Sequence, residues 1–166
     1  HISNLGPEPL TSAFDYDYMK EKSKKRKINI KNFMMNQKYI SGLGNIYANE
    51  ILFLSSINPK KKAYKLSDNE ILKIVCNTKN ILKKAIQLGG SSIKDFSSIS
   101  GNKGLFQEKF KVYDRANKSC LKPECEGSIK KIYIRICLYV DIKSCTNYAI
   151  VGADLSFSLR AQEKCS

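Results

Sequence analysis

Two groups of residues in this 166-residue chain have the types and spacing to do chemistry. The first is Gly42-Leu43-Gly44-Asn45, preceded by Gln37-Lys38-Tyr39-Ile40-Ser41 and followed by Ile46-Tyr47-Ala48-Asn49-Glu50. Glycines this close let the backbone turn through angles that a Cβ forbids, and bring bare N–H groups to a surface. Asn45 stands where a helix N-cap is expected, ahead of the helix-forming run Ile46 to Leu54. A helix start offers unpaired donors and a partial positive charge, which suits a phosphate. Arg26, Lys27, Lys31 and Lys38 are the cations within reach. Taken alone, the same residues also describe a plain helix-turn-helix corner with an ordinary cap. The second group is Cys120 and Cys125, whose four-residue separation lies within the ligand spacing of structural zinc sites.

The surrounding charge bears on the first group. Lysine and arginine total 29 against 15 acidic residues, a net charge of +14. Such an excess marks a surface for polyanions whose affinity falls with salt, although a lysine-rich composition also serves plain solubility. The excess is uneven: 25 basic residues face 12 acidic ones up to Ile134, and 4 face 3 after it. No run of about 18 apolar residues and no signal-peptide pattern occurs, so nothing indicates a membrane or a secretion route. In a basic chain of this kind a close cysteine pair indicates metal before disulfide.

The elements that must position these residues read mostly as helices. His1 to Pro9 reads as a linker, broken by Gly6-Pro7 and Pro9. Leu10 to about Lys22 reads as a helix with Phe14, Tyr18 and Met19 on one face, and Lys22, Lys24, Lys25, Arg26 and Lys27 follow as a dense basic run. Ile28 to Met35 is a second short helix, the glycine turn comes next, and a third helix starts at Asn45 and closes before Asn58-Pro59. Ser67 to Leu88 carries the clearest signal, a capping box of Ser67 and Glu70 followed by Ile71, Ile74, Val75, Thr78, Leu82 and Ala85 at helical spacing. Gly89-Gly90 stop it. Cys76 within it reads as a buried thiol. Ser91 to Gly104 is a polar loop, and Phe110 to Tyr113 and Ile129 to Ile134 are short β-type runs framing a hairpin with Cys120 and Cys125 at its tip. No periodic element is evident after Ile134.

The run Lys31 to Glu50 closely resembles the helix-two-turn-helix segment of bacterial formamidopyrimidine-DNA glycosylases. Leu5-Gly-Pro-Glu-Pro-Leu10 resembles that family's interdomain segment, Gly89-Gly-Ser-Ser-Ile-Lys-Asp-Phe96 the segment before its damaged-base loop, and Phe106 to Arg115 the approach to its zinc finger. The resemblance covers about residues 1–134 in the family's order. It implies removal of oxidised purines such as 8-oxoguanine, cleavage at the abasic site, and a mobile loop at 97–104 over a flipped-out base, with Leu105 where a tyrosine is common. By the same resemblance Lys27, Lys31, Gly44 and Asn45 are DNA-binding positions, Asn45 as the phosphate contact. The implied partner is double-stranded DNA carrying an oxidised purine or an abasic site. The protein is then a monomer, cytoplasmic and nucleoid-associated, with no membrane contact.

The departures from the family set the remaining expectations. Its nucleophile is an N-terminal proline amine, followed by a glutamate and supported by a lysine of an N-terminal β-sandwich lobe; none of these matches a position here, so no catalytic residue is assigned and the chain by itself is expected to be inactive. The single histidine, His1, offers no alternative site. The resemblance implies a zinc finger, with Cys120 and Cys125 as one ligand pair and Cys137 and Cys145 as an atypical second pair in place of the family's closely spaced one. Arg135 lies near the family's catalytic arginine without its motif. A reading-frame shift near residue 135 would account for the change in motif, charge and cysteines together; an Arg-Ser-x-x-x-Cys-x-x-Cys-like run in another frame of the gene past codon 134 is the expected sign, and its absence from both frames would remove the idea. The expected organisation is a linker at 1–9, a mainly α helix-two-turn-helix domain at 10–107, an incomplete zinc-finger-like β-hairpin at 108–134 and a divergent tail at 135–166. A non-enzymatic RNA- or DNA-binding helix-two-turn-helix module is the alternative.

Overall fold

The computed structural model describes residues 5–90, 106–134 and 137–141, the last eight of these by backbone alone. The expected base loop at 97–104, Leu105, Arg135 and Cys145 therefore lie outside the described residues. Four helices dominate: α1 (Tyr16–Ser23), α2 (Ile30–Met34), α3 (Asn45–Leu54) and α4 (Asp68–Gln87). Short 3-10 turns at Ala63–Lys65 and Phe106–Lys109 connect them onward to an antiparallel hairpin of β1 (Lys130–Ile134) and β2 (Cys137–Asp141).

Local chemistry explains where each helix begins. α1 starts at Tyr16 rather than Leu10, because the Asp15 side chain accepts the Tyr18 N–H at 2.8 Å and so caps the helix there. Upstream, both the backbone N–H and the hydroxyl of Thr11 donate to the Glu8 carbonyl, a local turn that competes with helix. α4 begins as expected, with Ser67 Oγ accepting from the Glu70 N–H and the Glu70 carboxylate accepting from the Ser67 N–H. Its buried stripe is Ile71, Ile74, Val75, Thr78, Ile81 and Ala85; Ile81 occupies the inner position expected of Leu82, and Cys76, expected as a buried thiol, is instead half-buried at the stripe's edge and disulfide-bonded. Gly89 and Gly90 end it with φ of 73° and 79°.

The helices share one core. Phe14, Met19, Ile30, Phe33, Met34, Ile40, Leu43, Ile51 and Ile74 are all 0% exposed within it. Residues 5–9 are not a loose linker: the Gly6 N–H donates to the Gln37 carbonyl, the Ser41 N–H to the Pro7 carbonyl, and Pro9 is buried. The approach at Gly6 demands glycine, since a Cβ there would lie 2.3 Å from the Tyr39 carbonyl group.

The second core is small and ties the hairpin module to the helices. It joins Phe53 of α3 to Val112, Cys120 and Ile129. Here the sequence reading is corrected twice. Residues 110–113 are not a strand, because the N–H groups of Lys111, Val112 and Tyr113 are taken by a side chain, Glu50, and that of Phe110 by the Gln107 carbonyl, instead of a neighbouring strand. β1 pairs with β2, from Lys130 opposite Asp141 to Ile134 opposite Cys137, so the hairpin crosses the expected boundary at 134/135 and contains a strand where none was evident. The cysteine knuckle sits instead above a separate bridge between Ser119 and Ser128.

Candidate nucleic-acid interface

The two-turn segment between α2 and α3 is built to hold the start of α3 open. Asn36 starts it, its carbonyl accepting from the Tyr39 and Ile40 N–H groups and its Oδ1 from Lys38 at 3.0 Å. Gln37 then staples the loop across its mouth: its Oε1 accepts the Gly42 N–H at 2.7 Å, and its Nε2 donates to the Leu43 carbonyl at 3.3 Å. Gly42 adopts φ 73°, a left-handed conformation suited to glycine. Ile40 and Leu43 anchor the loop in the core, each fully buried.

The N-cap of α3 is Gly44 and not Asn45, which is the first helical residue. Gly44 has φ −99° and ψ 179°, an extended conformation open to any residue, and a Cβ built there meets nothing within 4 Å. The fold therefore does not require glycine at this position. No side chain caps the helix, so the first amides of α3 carry the orphan donors and positive end of the dipole without an internal partner from the cap. Asn45 is half-exposed beside them. The buried Asn49, one turn on, places its Nδ2 at 3.5 Å from Asn45 Oδ1, a long contact that engages the acceptor of Asn45. Asn49 Oδ1 has no hydrogen-bond partner among the described residues.

Of the sequence-predicted cations, Lys27 and Lys38 are exposed. Arg26 comes to the turn, its guanidinium 5.0 Å from the centre of the Tyr39 ring. That ring stacks on Phe33 at 4.6 Å, and the Tyr39 carbonyl accepts the Tyr18 hydroxyl at 2.8 Å; burial pushes that hydroxyl up from its usual value, which keeps it a donor. Lys31 is different. It is 0% exposed and engaged inside the fold, because α2 is only five residues long and buries four of them. Lys31, expected as a DNA-binding position, therefore sits inside the fold beside the turn's supporting helix.

The predicted metal ligands are only partly brought together. Cys120 is buried and Cys125 half-buried, and the Lys122 N–H points at Cys120 Sγ from 3.5 Å while the Cys120 N–H donates to Gly127. A backbone N–H turned onto sulfur suits a thiolate ligand. The side chain of Cys137 and all of Cys145 lie outside the description, and among the described residues no three His, Cys, Asp or Glu side chains gather as a metal site. Cys125 is disulfide-bonded in this structure, so the residues described do not make a zinc site.

Sequence reasoning missed two groups that fix this module. Glu50 is 2% exposed and accepts three backbone N–H groups: Val112 at 2.9 Å and Tyr113 at 2.8 Å on Oε1, and Lys111 at 2.8 Å on Oε2. Lys122 lies 4.8 Å over the Phe53 ring and donates to Ser56 Oγ at 2.7 Å, joining the knuckle to the far end of α3. Burial pushes its ammonium below the usual lysine value, opposed by the attraction of Cys120. An isolated Glu in a helical run carries no signal of a partner 60 residues away.

Comparison with known proteins matches this geometry. Residues 5–97 match the family model described as the formamidopyrimidine-DNA glycosylase H2TH domain. A formamidopyrimidine-DNA glycosylase of Idiomarina loihiensis is 46% identical over 131 residues, covering 79% of this chain and 48% of that protein. One of Hydrogenovibrio crunogenus is 44% identical, covering 80% and 47%. Among solved structures, the MutM (Fpg) protein of Thermus thermophilus superposes with a TM-score of 0.81 at 29% identity, over 87% of this chain and 54% of that one. The Lactococcus lactis Fpg bound to DNA containing an abasic site gives 0.78 at 34% identity, over 87% and 52%. The chain spans about half the length of the relatives it matches. With its open α3 start held by a stapled two-turn loop, and with that loop inside the matched region, the chain belongs to the formamidopyrimidine-DNA glycosylase family and carries its H2TH domain.

Proposed function

We propose that this chain grips the phosphate backbone of damaged duplex DNA in base excision repair, as the C-terminal part of a formamidopyrimidine-DNA glycosylase and AP lyase that removes oxidised purines. The observation that carries the reading is Gly44: neither its backbone angles nor its surroundings ask for glycine, yet glycine keeps the α3 amides bare. A phosphate oxygen is the ligand that three bare amides beside the half-exposed Asn45 fit best. Lys27 supplies exposed charge near the turn, and duplex DNA bearing an oxidised purine or an abasic site is the partner. Zinc held by Cys120, Cys125, Cys137 and Cys145 would require the Cys125 disulfide to be reduced first. No described residue is assigned a role in bond cleavage.

The test separates folding from grip. Serine is as good an N-cap as glycine or better by a few tenths of a kcal/mol, so Gly44→Ser should leave thermal stability level or slightly raised. Its hydroxyl occupies the amides that the phosphate needs, and binding to an abasic-site duplex, followed by fluorescence anisotropy, should weaken about tenfold, or about 1.4 kcal/mol. Asn45→Ala should weaken binding similarly, through loss of a hydrogen bond to a charged oxygen worth about 1.5–3 kcal/mol. Unchanged affinity in both variants would refute the assignment, and a preference of the parent chain for structured RNA over the abasic duplex would replace DNA by RNA.

A further inference from the structure

Beside the turn, and meeting it at Arg26, the fold assembles a second concentration of positive charge that extends beyond the grip at Asn45. The basic run after α1 and the lysines after α3 are more than 30 residues apart in sequence, yet their backbones pair. Tyr64 N–H donates to the Arg26 carbonyl, Ala63 to Ile28, and Ile30 to the Lys61 carbonyl, with Asn29 bridged to Lys62. This short antiparallel ribbon sets Lys24, Lys25 and Arg26 alongside Lys60, Lys62 and Lys65, all six exposed. Like charges brought together across a ribbon oppose its formation.

Carboxylates do not relieve the repulsion. Glu21 pairs with Lys22 at 3.0 Å, Asp68 with Lys20 at 3.1 Å, and Glu70 with Lys61 at 2.7 Å, so each neighbouring acid is held by a lysine outside the six. Among the described residues none of the six is ion-paired. Two of them lie over aromatic rings, Arg26 over Tyr39 and Lys65 over Tyr64, and Tyr64 is itself 46% exposed. A cationic ribbon with an exposed ring, stripped of acidic partners, matches a phosphodiester chain.

We infer that this ribbon is a second backbone-binding surface that follows the same DNA duplex away from the site gripped at Asn45. The ribbon meets the N-terminal end of α2 and the segment after α3, whereas Asn45 opens α3. The ten residues of α3 and the segment that follows it separate Asn45 from Lys60, Lys62 and Lys65 along the chain. The ribbon reads no bases. It lengthens the footprint and raises the salt dependence.

The inference rests on the DNA reading of the turn, and the experiment keeps the two apart. Salt dependence of binding is measured for the full 166-residue chain on two abasic duplexes, one short enough to reach only the α3 start and one extended on both sides by about ten base pairs. The parent should show the steeper salt slope on the long duplex. Replacing Lys60, Lys62 and Lys65 together by glutamine, three exposed positions away from both cores, should lower that slope by about 2–3 while leaving the short duplex unaffected. Asn45→Ala should weaken both. An effect of the triple variant equal on both duplexes, or none on either, overturns the second surface. So does an effect confined to structured RNA or to anionic vesicles. Loss of length dependence in the triple variant with Asn45→Ala inert would instead leave the ribbon standing and remove the turn.

Discussion

Replacing Glu50 by alanine is expected to destabilise the chain by about 3–5 kcal/mol, which puts this among the most damaging single changes it can suffer. The carboxylate is 2% exposed and accepts the N–H groups of Lys111, Val112 and Tyr113 within 2.9 Å. Each such bond to a charged acceptor contributes about 1.5–3 kcal/mol, and the alanine variant leaves the three donors without an acceptor in a low-dielectric setting. The cost falls below the simple sum because the segment can move toward water. Thermal unfolding should shift down by about 2–4 °C per kcal/mol for a chain of this size. Amide exchange at 111–113 should accelerate more than exchange in α4, which begins on its own capping box. Glu50→Gln should fall between, since one amide oxygen can still accept while the amide nitrogen faces a backbone donor. A loss under 1 kcal/mol in the alanine variant would show that the 111–113 segment holds itself in place.

Phe33→Ala should be comparably damaging, about 3–5 kcal/mol, from lost transfer energy and the cavity left behind. Phe33 is 0% exposed in the main core and stacks on Tyr39 with ring centres 4.6 Å apart and planes 12° from parallel. Tyr39 in turn takes the Tyr18 hydroxyl on its carbonyl and Arg26 on its ring. The cavity therefore opens directly beneath the two-turn loop. Phe33→Leu keeps most of the volume and should cost under about 1.5 kcal/mol. The pair is distinguished by denaturant unfolding, and the leucine variant should also bind abasic duplex more weakly than the parent because the loop loses its aromatic floor. A leucine variant of unaltered affinity would show that the loop is held by Gln37, Ile40 and Leu43 alone.

How far the sequence could be read depended on whether a residue's role was local. α4 was legible because Ser67 and Glu70 satisfy each other within one turn and the apolar stripe repeats beneath them. The loop before α3 was legible because its glycines and asparagine act within a few residues of themselves. The cap was off by one, since Gly44 and Asn45 are both acceptable N-caps and only the backbone decides between them. Roles that depend on distant partners were hidden. Glu50 removes 111–113 from the strand it would otherwise resemble, and the interior position of Lys31 follows from the shortness of α2. The pairing of two lysine runs through Arg26, Ile28 and Lys61 is likewise a tertiary fact. The Asp15 cap was a local signal that went unread because the apolar periodicity of Phe14, Tyr18 and Met19 ran straight through it.

The seating of Gly6 against Tyr39 bears on how force travels through the molecule. The backbone at Gly6 touches the carbonyl that holds Tyr18, and its N–H is tied to Gln37, the same residue whose side chain closes the mouth of the loop. There is no slack between the incoming chain and the loop. A torque applied ahead of Leu5 would arrive at Gln37 within one hydrogen bond, before any helix had to shift. The contact thus works as a tight coupling between the chain at Gly6 and the two-turn loop.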